Sequence, residues 1–294
     1  MVANSYIITG PTASGKSGFA HLVAKKIGGV IINCDSVQMY RGIENISASP
    51  FAGRDLTEDI DGVPYRLFSI LPLSQQISVS DYIDKARYEY NRALRLGLVP
   101  VFVGGTGYYI NAIINGISPM PDISPENRMR AREMVAADID AVREMLGNDV
   151  VVTDPQRVAR ALEVFLETGR HLIEFQSAPR VGAIVDKPKK ILINPSVEVL
   201  RERIVARISD MLSGGALDEA QYIIDNGLDA ARAIGAYQLV AFLRGDFDKQ
   251  DCIKNWIVKT NQYAKRQRTW FRTQFDADIE INYVPTESDV ELVI

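Results

Sequence analysis

Eight residues near the start of the chain, Gly10-Pro11-Thr12-Ala13-Ser14-Gly15-Lys16-Ser17, keep the spacing Gly-x4-Gly-Lys-Ser directly behind an apolar run, Tyr6-Ile7-Ile8. A buried strand that turns through such a segment into a helix makes a phosphate-binding loop. The glycines let successive N–H groups aim at one centre, the helix that follows points its positive end there, and the lysine adds a full charge. On this reading Gly10, Thr12, Ala13, Ser14, Gly15 and Lys16 surround a diphosphate or triphosphate, and the Ser17 hydroxyl holds Mg2+. The rest of the ligand stays open, because a nucleoside triphosphate and any other pyrophosphate ester offer the same oxygens.

Strand and helix signals alternate through the first part of the chain: a helix from Ser17 to about Ile27, a strand at Val30-Ile31-Ile32, a helix near Val79 to Leu96, and a strand at Val99-Pro100-Val101-Phe102-Val103. That order predicts an α/β fold, a P-loop NTPase-like parallel sheet flanked by helices. Each strand runs into a polar or glycine-rich turn, at Gly10, at Asn33-Cys34-Asp35-Ser36 and at Gly104-Gly105-Thr106-Gly107. Ligands of open α/β sheets sit at these carboxyl ends, so the three turns are expected to converge on one site. The stretch from Gly42 to Ser78 reads as irregular loop with a short hairpin.

After Pro121 the sequence becomes charged and alanine-rich, with Pro125 and Asp154-Pro155 opening helices. Residues 117–187 are therefore expected to form an inserted all-helical subdomain, with 1–116 and 188–294 as the core. The core resumes at the strand Ile191-Leu192-Ile193, followed by helices near Val197 to Leu212, Ala216 to Asn226 and Lys254 to Thr273.

The 294 residues carry a formal charge of −4, against a protein that holds nucleic acid everywhere by bulk charge. Local charge differs: from Ile253 to Phe275 there are Lys254, Lys259, Lys265, Arg266, Arg268 and Arg272 and no acid. Such a run fits a phosphate-rich partner, with a solvated helix face as the competing reading. Trp256, Tyr263 and Trp270, seven apart, would bury along one face of that helix, with Lys265, Arg268 and Arg272 almost opposite. Two cysteines, Cys34 and Cys252, and two histidines, His21 and His171, lack metal-ligand spacing and read as ordinary packing or surface. No stretch approaches a membrane span and the start does not resemble a signal peptide, so a cytoplasmic protein is expected.

Five stretches, in this order and spacing, resemble the tRNA dimethylallyltransferases, also called tRNA isopentenyltransferases. They are the phosphate loop, Asp35-Ser36-Val37-Gln38-Met39-Tyr40-Arg41-Gly42, Gly104-Gly105-Thr106-Gly107-Tyr108-Tyr109, Asp154-Pro155-Gln156-Arg157-Val158-Ala159-Arg160-Ala161-Leu162-Glu163, and Ala264-Lys265-Arg266-Gln267-Arg268-Thr269-Trp270-Phe271-Arg272. The resemblance implies transfer of a dimethylallyl group from its diphosphate to N6 of adenine 37, beside a tRNA anticodon.

The delocalised amine of adenine is a poor nucleophile, so a carboxylate that takes its proton helps the attack; Asp35 is the candidate base, with a turn cap as the alternative. Ser36 and Gln38, with Val37 between them, could read the base edge. Lys16, the loop amides and Mg2+ would neutralise the leaving diphosphate. The resemblance also implies Thr106 near the reacting groups, Arg203 and Arg207 closing over the diphosphate, and Arg128, Gln156, Arg157, Val158, Ala159, Arg160, Lys265 and Arg268 against the anticodon stem-loop. Surface pairs to Glu202 or Asp210 compete for the two helix arginines.

The target base would be flipped out of its stack, the acting unit a monomer, and the rival function an ATP-dependent nucleotide or small-molecule kinase with the same loop. Three departures stand out. Ser17 replaces the family's usual threonine, Ser47-Ala48-Ser49-Pro50 its Thr-Ala-Lys-Pro, and Ile234-Gly235-Ala236-Tyr237-Gln238 its Ile-Gly-Tyr-Lys/Arg.

Overall fold

A computed structural model describes residues 5–54, 59–147 and 153–294. The apolar runs become the strands β1 (Tyr6–Thr9), β2 (Gly29–Asn33), β4 (Val99–Gly104) and β5 (Lys189–Ile193), joined by two short strands, β3 (Tyr65–Arg66) and β6 (Ile279–Ile281). All pair in parallel, in the order β3-β2-β4-β1-β5-β6. β4 thus lies between β2 and β1, and the three turns singled out in the sequence leave the sheet from neighbouring strands. The segment expected to hold a short hairpin turns tightly between Ile60 and Val63, which form an antiparallel bridge, and also contributes β3, parallel to β2.

Helices cover the sheet. On one face α1 (Lys16–Ile27) buries Phe19, Ala20 and Val23 against Tyr6, Ile8, Val101, Val103 and Ile191. α2 (Val79–Arg95) starts at a reciprocal cap, in which the Ser78 hydroxyl accepts from the Asp81 N–H and the Asp81 carboxylate accepts from the Ser78 N–H. α3 (Gly107–Asn115) follows β4. After β5 come α8 (Val197–Ser213), capped by Ser196, α9 (Ala216–Asp225), α10 (Ala236–Leu243) and α11 (Lys249–Gln274). The last begins five residues before the expected Lys254, because Asp248 caps it by accepting from the Asp251 N–H at 2.8 Å.

Residues 5–114 and 184–294 form one compact unit, and 115–183 another. The second junction falls earlier than the sequence suggests, since Ile184 and Val185 are buried and the Ile184 N–H bonds the Ile113 carbonyl at 2.9 Å. The second unit holds α4 (Pro125–Ala137), α5 (Ile139–Leu146), α6 (Pro155–Thr168) and α7 (Leu172–Gln176). Ala131, Val135, Val142, Leu146, Val158 and Leu162 make its own core. Among the described residues no helix is long and apolar enough to cross a membrane.

Candidate active site

The loop between β1 and α1 encloses Lys16, which is buried and donates from Nζ to the Pro11 carbonyl at 3.2 Å. Burial lowers its pKa from 10.5 to about 8, against the raising effect of the Asp35 carboxylate; the Arg207 guanidinium adds a further lowering. The Ser14 hydroxyl is buried with no hydrogen-bond partner among the described residues, an oxygen prepared for a ligand. Ser17 is exposed on the first helical turn and borders the same cavity as Lys16.

Both arginines of α8 turn toward the loop and not toward Glu202 or Asp210. Arg203 donates from Nε to the Ala13 carbonyl at 2.7 Å, and Arg207 from Nη1 to the Thr12 hydroxyl at 3.2 Å. Four residues apart, they share a helix face, as the sequence suggested. Burial pulls Arg207 below its usual value.

Asp35 follows β2. Its Oδ1 accepts the Val37 N–H at 3.0 Å, the turn role that the sequence offered as the alternative to a base. The Ser36 N–H bonds the Thr106 hydroxyl at 3.0 Å, and that hydroxyl bonds the Ser36 Oγ at 3.3 Å. Thr106 is thereby tied to the Asp35 turn across the ends of β2 and β4. Gln38 departs from expectation: it is buried, and its Nε2 donates to the Ser47 and Ala48 carbonyls at 3.1 and 2.9 Å. Its donors brace the 47–48 loop and are not offered to a base edge.

That loop is held from below by Glu219 of α9, whose carboxylate accepts the N–H groups of Asn45 and Ile46 at 2.7 and 2.8 Å. Ser49, where the family's lysine would stand, is buried, and its hydroxyl accepts from Phe51 N–H at 3.3 Å. In the later motif Gln238 is also buried and accepts from the Gly235 N–H at 2.9 Å, whereas Tyr237 beside it is exposed.

The Gly104-Gly105-Thr106-Gly107 turn needs its glycines for space. A Cβ on Gly104 would fall 2.2 Å from the Cys34 carbonyl carbon, one on Gly105 2.3 Å from Nε2 of Gln267, and one on Gly107 2.4 Å from the Trp270 ring. Cys34 is buried beside Tyr82, and burial pushes its thiol up to about 12, so it serves packing and not nucleophilic chemistry.

These groups border one cavity of about 640 Å3, shared by Lys16, Asp35, Arg203 and Arg207 with the apolar side chains of Ile208 and Trp256. Tyr263 borders it too; burial and the nearby Asp35 carboxylate raise its phenol, which bonds Thr106. The buried line of α11 runs through Cys252, Trp256, Ala264, Gln267 and Phe271, whereas Tyr263 and Trp270 are half-buried. Lys265 and Arg268 open onto a separate groove with Arg201 and Glu280.

In the helical unit, Arg128, Gln156 and Arg157 are exposed. Arg160 pairs with Glu163 at 3.0 Å. Val158 and Ala159 correct the sequence reading: their side chains are packed in the core of that unit and present no surface to an RNA, because a helix that offers Gln156 and Arg157 outward turns the next two positions inward.

Residues 38–274 match the family IPP transferase, and residues 3–63 match isopentenyl transferase. The chain belongs to the IPP transferase family. A member from Rhizobium etli, a tRNA dimethylallyltransferase, is 36% identical over 95% of this chain and 97% of its own. Another, from Sphingopyxis alaskensis and of the same name, is 38% identical over 91% of this chain and 89% of its own. The crystal structure of a tRNA isopentenylpyrophosphate transferase from Bacillus halodurans superposes with a TM-score of 0.69 at 27% identity, over 99% of this chain and 94% of that one. A eukaryotic dimethylallyltransferase acting on tRNA shares the fold at a TM-score of 0.75, with 23% identity over 95% of this chain and 74% of that one. This membership does not favour the kinase reading, and β4 ends at Gly104 and runs on into Gly105-Thr106 with no metal-organising acid there.

Proposed function

We propose that the chain transfers a dimethylallyl group from dimethylallyl diphosphate to N6 of adenine 37 in tRNA, releasing diphosphate. The observation that carries this is the shared cavity: cationic Lys16, Arg203 and Arg207 at a phosphate loop, one carboxylate at Asp35, and an apolar wall including Ile208 and Trp256. A short branched hydrocarbon on a diphosphate needs such a pairing of charge and apolar surface.

In the reaction the N6–carbon bond forms as the allylic carbon–oxygen bond breaks. The electron pair of that bond leaves with the diphosphate, which Lys16 and the two arginines stabilise as its charge grows. Asp35 takes the proton from N6, and the Val37 N–H on its Oδ1 holds the carboxylate in place. Thr106 and Tyr263 position the Asp35 turn.

No group of three His, Cys, Asp or Glu side chains that could hold a metal comes together among the described residues. Mg2+ would therefore rest on the Ser17 hydroxyl and the diphosphate's own oxygens, a hard all-oxygen set. When bound it supplies further neutralisation of the leaving group.

The exposed Arg128, Gln156 and Arg157, with Arg160, supply the guanidinium and amide groups that RNA bases and phosphates take, and Lys265 and Arg268 a second basic surface. The acting unit in this reading is a monomer in the cytoplasm, where its tRNA substrate is made.

The test is incubation of the purified protein with unmodified tRNA, Mg2+ and dimethylallyl diphosphate, followed by nucleoside mass analysis, with ATP offered in parallel. A five-carbon gain on adenosine that depends on the allylic donor is expected. No such product alongside ATP turnover would overturn the reading in favour of a kinase.

A further inference from the structure

We infer that Gln267 is a positioning residue that sets the separation of the diphosphate loop from the Thr106 turn, an inference that rests on the prenyl-transfer reading. Its amide bridges the two turns: Oε1 accepts the Thr12 N–H at 2.8 Å, and Nε2 donates to the Gly105 carbonyl at 2.8 Å. The side chain is buried in the middle of the otherwise apolar stripe of α11, between Ala264 and Phe271. A polar group kept in such a stripe requires both partners, because either bond left unmade strands a buried amide, N–H or carbonyl.

What the bridge touches gives it leverage on both substrates. The Pro11–Thr12 peptide whose N–H Gln267 holds gives its carbonyl to Lys16, and the next groups along the loop take the arginines, the Thr12 hydroxyl Arg207 and the Ala13 carbonyl Arg203. On the other side Gly105 precedes Thr106, whose hydroxyl holds the Ser36 N–H next to Asp35. A single planar amide thus fixes the diphosphate side against the base side. A displacement of about 1 Å between reacting groups is enough to cost on the order of 100-fold in rate.

The fit is close as well as bonded, since a methyl group on Gly105 would collide with Nε2. Below the turns, at the sheet itself, β1 and β4 are joined by strand pairing and by the Thr9 hydroxyl on the Gly104 carbonyl at 2.8 Å. Beyond the strand ends Gln267 continues that junction.

The experiment compares Gln267→Met and Gln267→Glu with the natural chain in three readouts: kcat for prenyl transfer, calorimetric binding of inorganic pyrophosphate, and affinity for an unmodified anticodon stem-loop. Gln267→Met is expected to lower kcat about 10- to 100-fold and to weaken pyrophosphate binding several-fold, while stem-loop affinity stays within about twofold. Gln267→Glu keeps the acceptor for Thr12 but sets a carboxylate against the Gly105 carbonyl. Its deficit should shrink as pH falls from 8 to 6, because the protonated carboxyl regains an O–H donor. Expressing each rate as a ratio to the natural chain at the same pH removes the contribution of Lys16.

Natural kcat and pyrophosphate affinity in both variants would overturn the inference. So would a lowered melting temperature in both without recovery of Gln267→Glu at low pH, the signature of a merely structural amide. The pyrophosphate readout also separates failures: absence of prenyl transfer by the natural chain removes the underlying reading, whereas unchanged pyrophosphate binding in the variants removes the role of Gln267.

Discussion

The side chain of Asn33 clasps the backbone of Asp35 at both ends, its Oδ1 accepting the Asp35 N–H at 2.8 Å and its Nδ2 donating to the Asp35 carbonyl at 2.9 Å. Nδ2 also reaches the Leu67 carbonyl at 3.0 Å, and Asn33 itself is fully buried. The carboxylate is thus aimed by a rigid strand end. Asn33→Asp retains the acceptor but opposes two carbonyls with a charge. Its single-turnover rate should drop about 10- to 100-fold with tRNA affinity within a few-fold; an unchanged rate would show that the clasp does not aim Asp35.

Asp35→Ala removes the proposed base without touching the loop that Lys16 occupies. Turnover should vanish while tRNA binding, measured by filter retention, stays within a few-fold. Loss of binding with retained turnover per complex would rule Asp35 out as the base.

Lys16 titrates at about 8, held there chiefly by burial, so the free enzyme carries its charge below that pH and loses it above. The KM for dimethylallyl diphosphate should rise as pH climbs from 8 to 10, and Lys16→Arg, charged throughout, should flatten the rise. Stability moves oppositely: between about 8 and 10.5 the unfolded lysine binds a proton that the folded one has released, so the ligand-free protein gains stability as pH rises across that window. A KM independent of pH in the natural chain would separate Lys16 from the donor.

Glu219 holds the 45–48 loop by its backbone, and that loop accepts both donors of Gln38. Glu219→Ala strands two partly buried N–H groups at a cost of about 1–3 kcal/mol. Denaturant unfolding should show that loss, and KM should rise for at least one substrate because the cavity wall at Ile46 and Ala48 loosens. Stability and KM both unchanged would remove the clamp.

The helical unit offers a paired comparison on one helix. Val158→Ala should cost about 2 kcal/mol of that unit's stability and leave tRNA affinity unchanged, since Val158 is fully buried. Arg157→Ala, at an exposed position, should do the reverse and weaken RNA binding with a reduced salt dependence. Equal effects on affinity would mean that the whole helix end, and not its outward side chains, meets the RNA.

Sequence periodicity located the four long strands and the diphosphate loop, because apolar runs ending in glycine turns have few other physical uses. Asp35 was legible as a carboxylate at a strand end, whereas Thr106, Arg203 and Arg207 entered through the resemblance to the family. The two short strands escaped it: Tyr65–Arg66 and Ile279–Ile281 are too brief to show alternation and exist because a longer neighbour recruits them. Gln38 was misread and Gln267 passed over for one reason. An amide in a motif looks like a recognition group until its partners, which are backbone atoms far along the chain, are known. The seven-residue aromatic spacing of α11 pointed to Tyr263 and Trp270 as the buried face, whereas the row Cys252, Trp256, Ala264, Gln267 and Phe271 traces it; a lone glutamine in that row was the available signal.

The hydrogen bond between Ile113 and Ile184 makes the helical unit a closed excursion from two adjacent points of the core. A chain that leaves and re-enters at one spot can exchange what lies between without disturbing the sheet order, the diphosphate loop or the Asp35 turn. On the proposed reading, recognition of the nucleic acid and chemistry on the base are then separable by a single pair of crossovers, so that descent could remodel one while leaving the other in place.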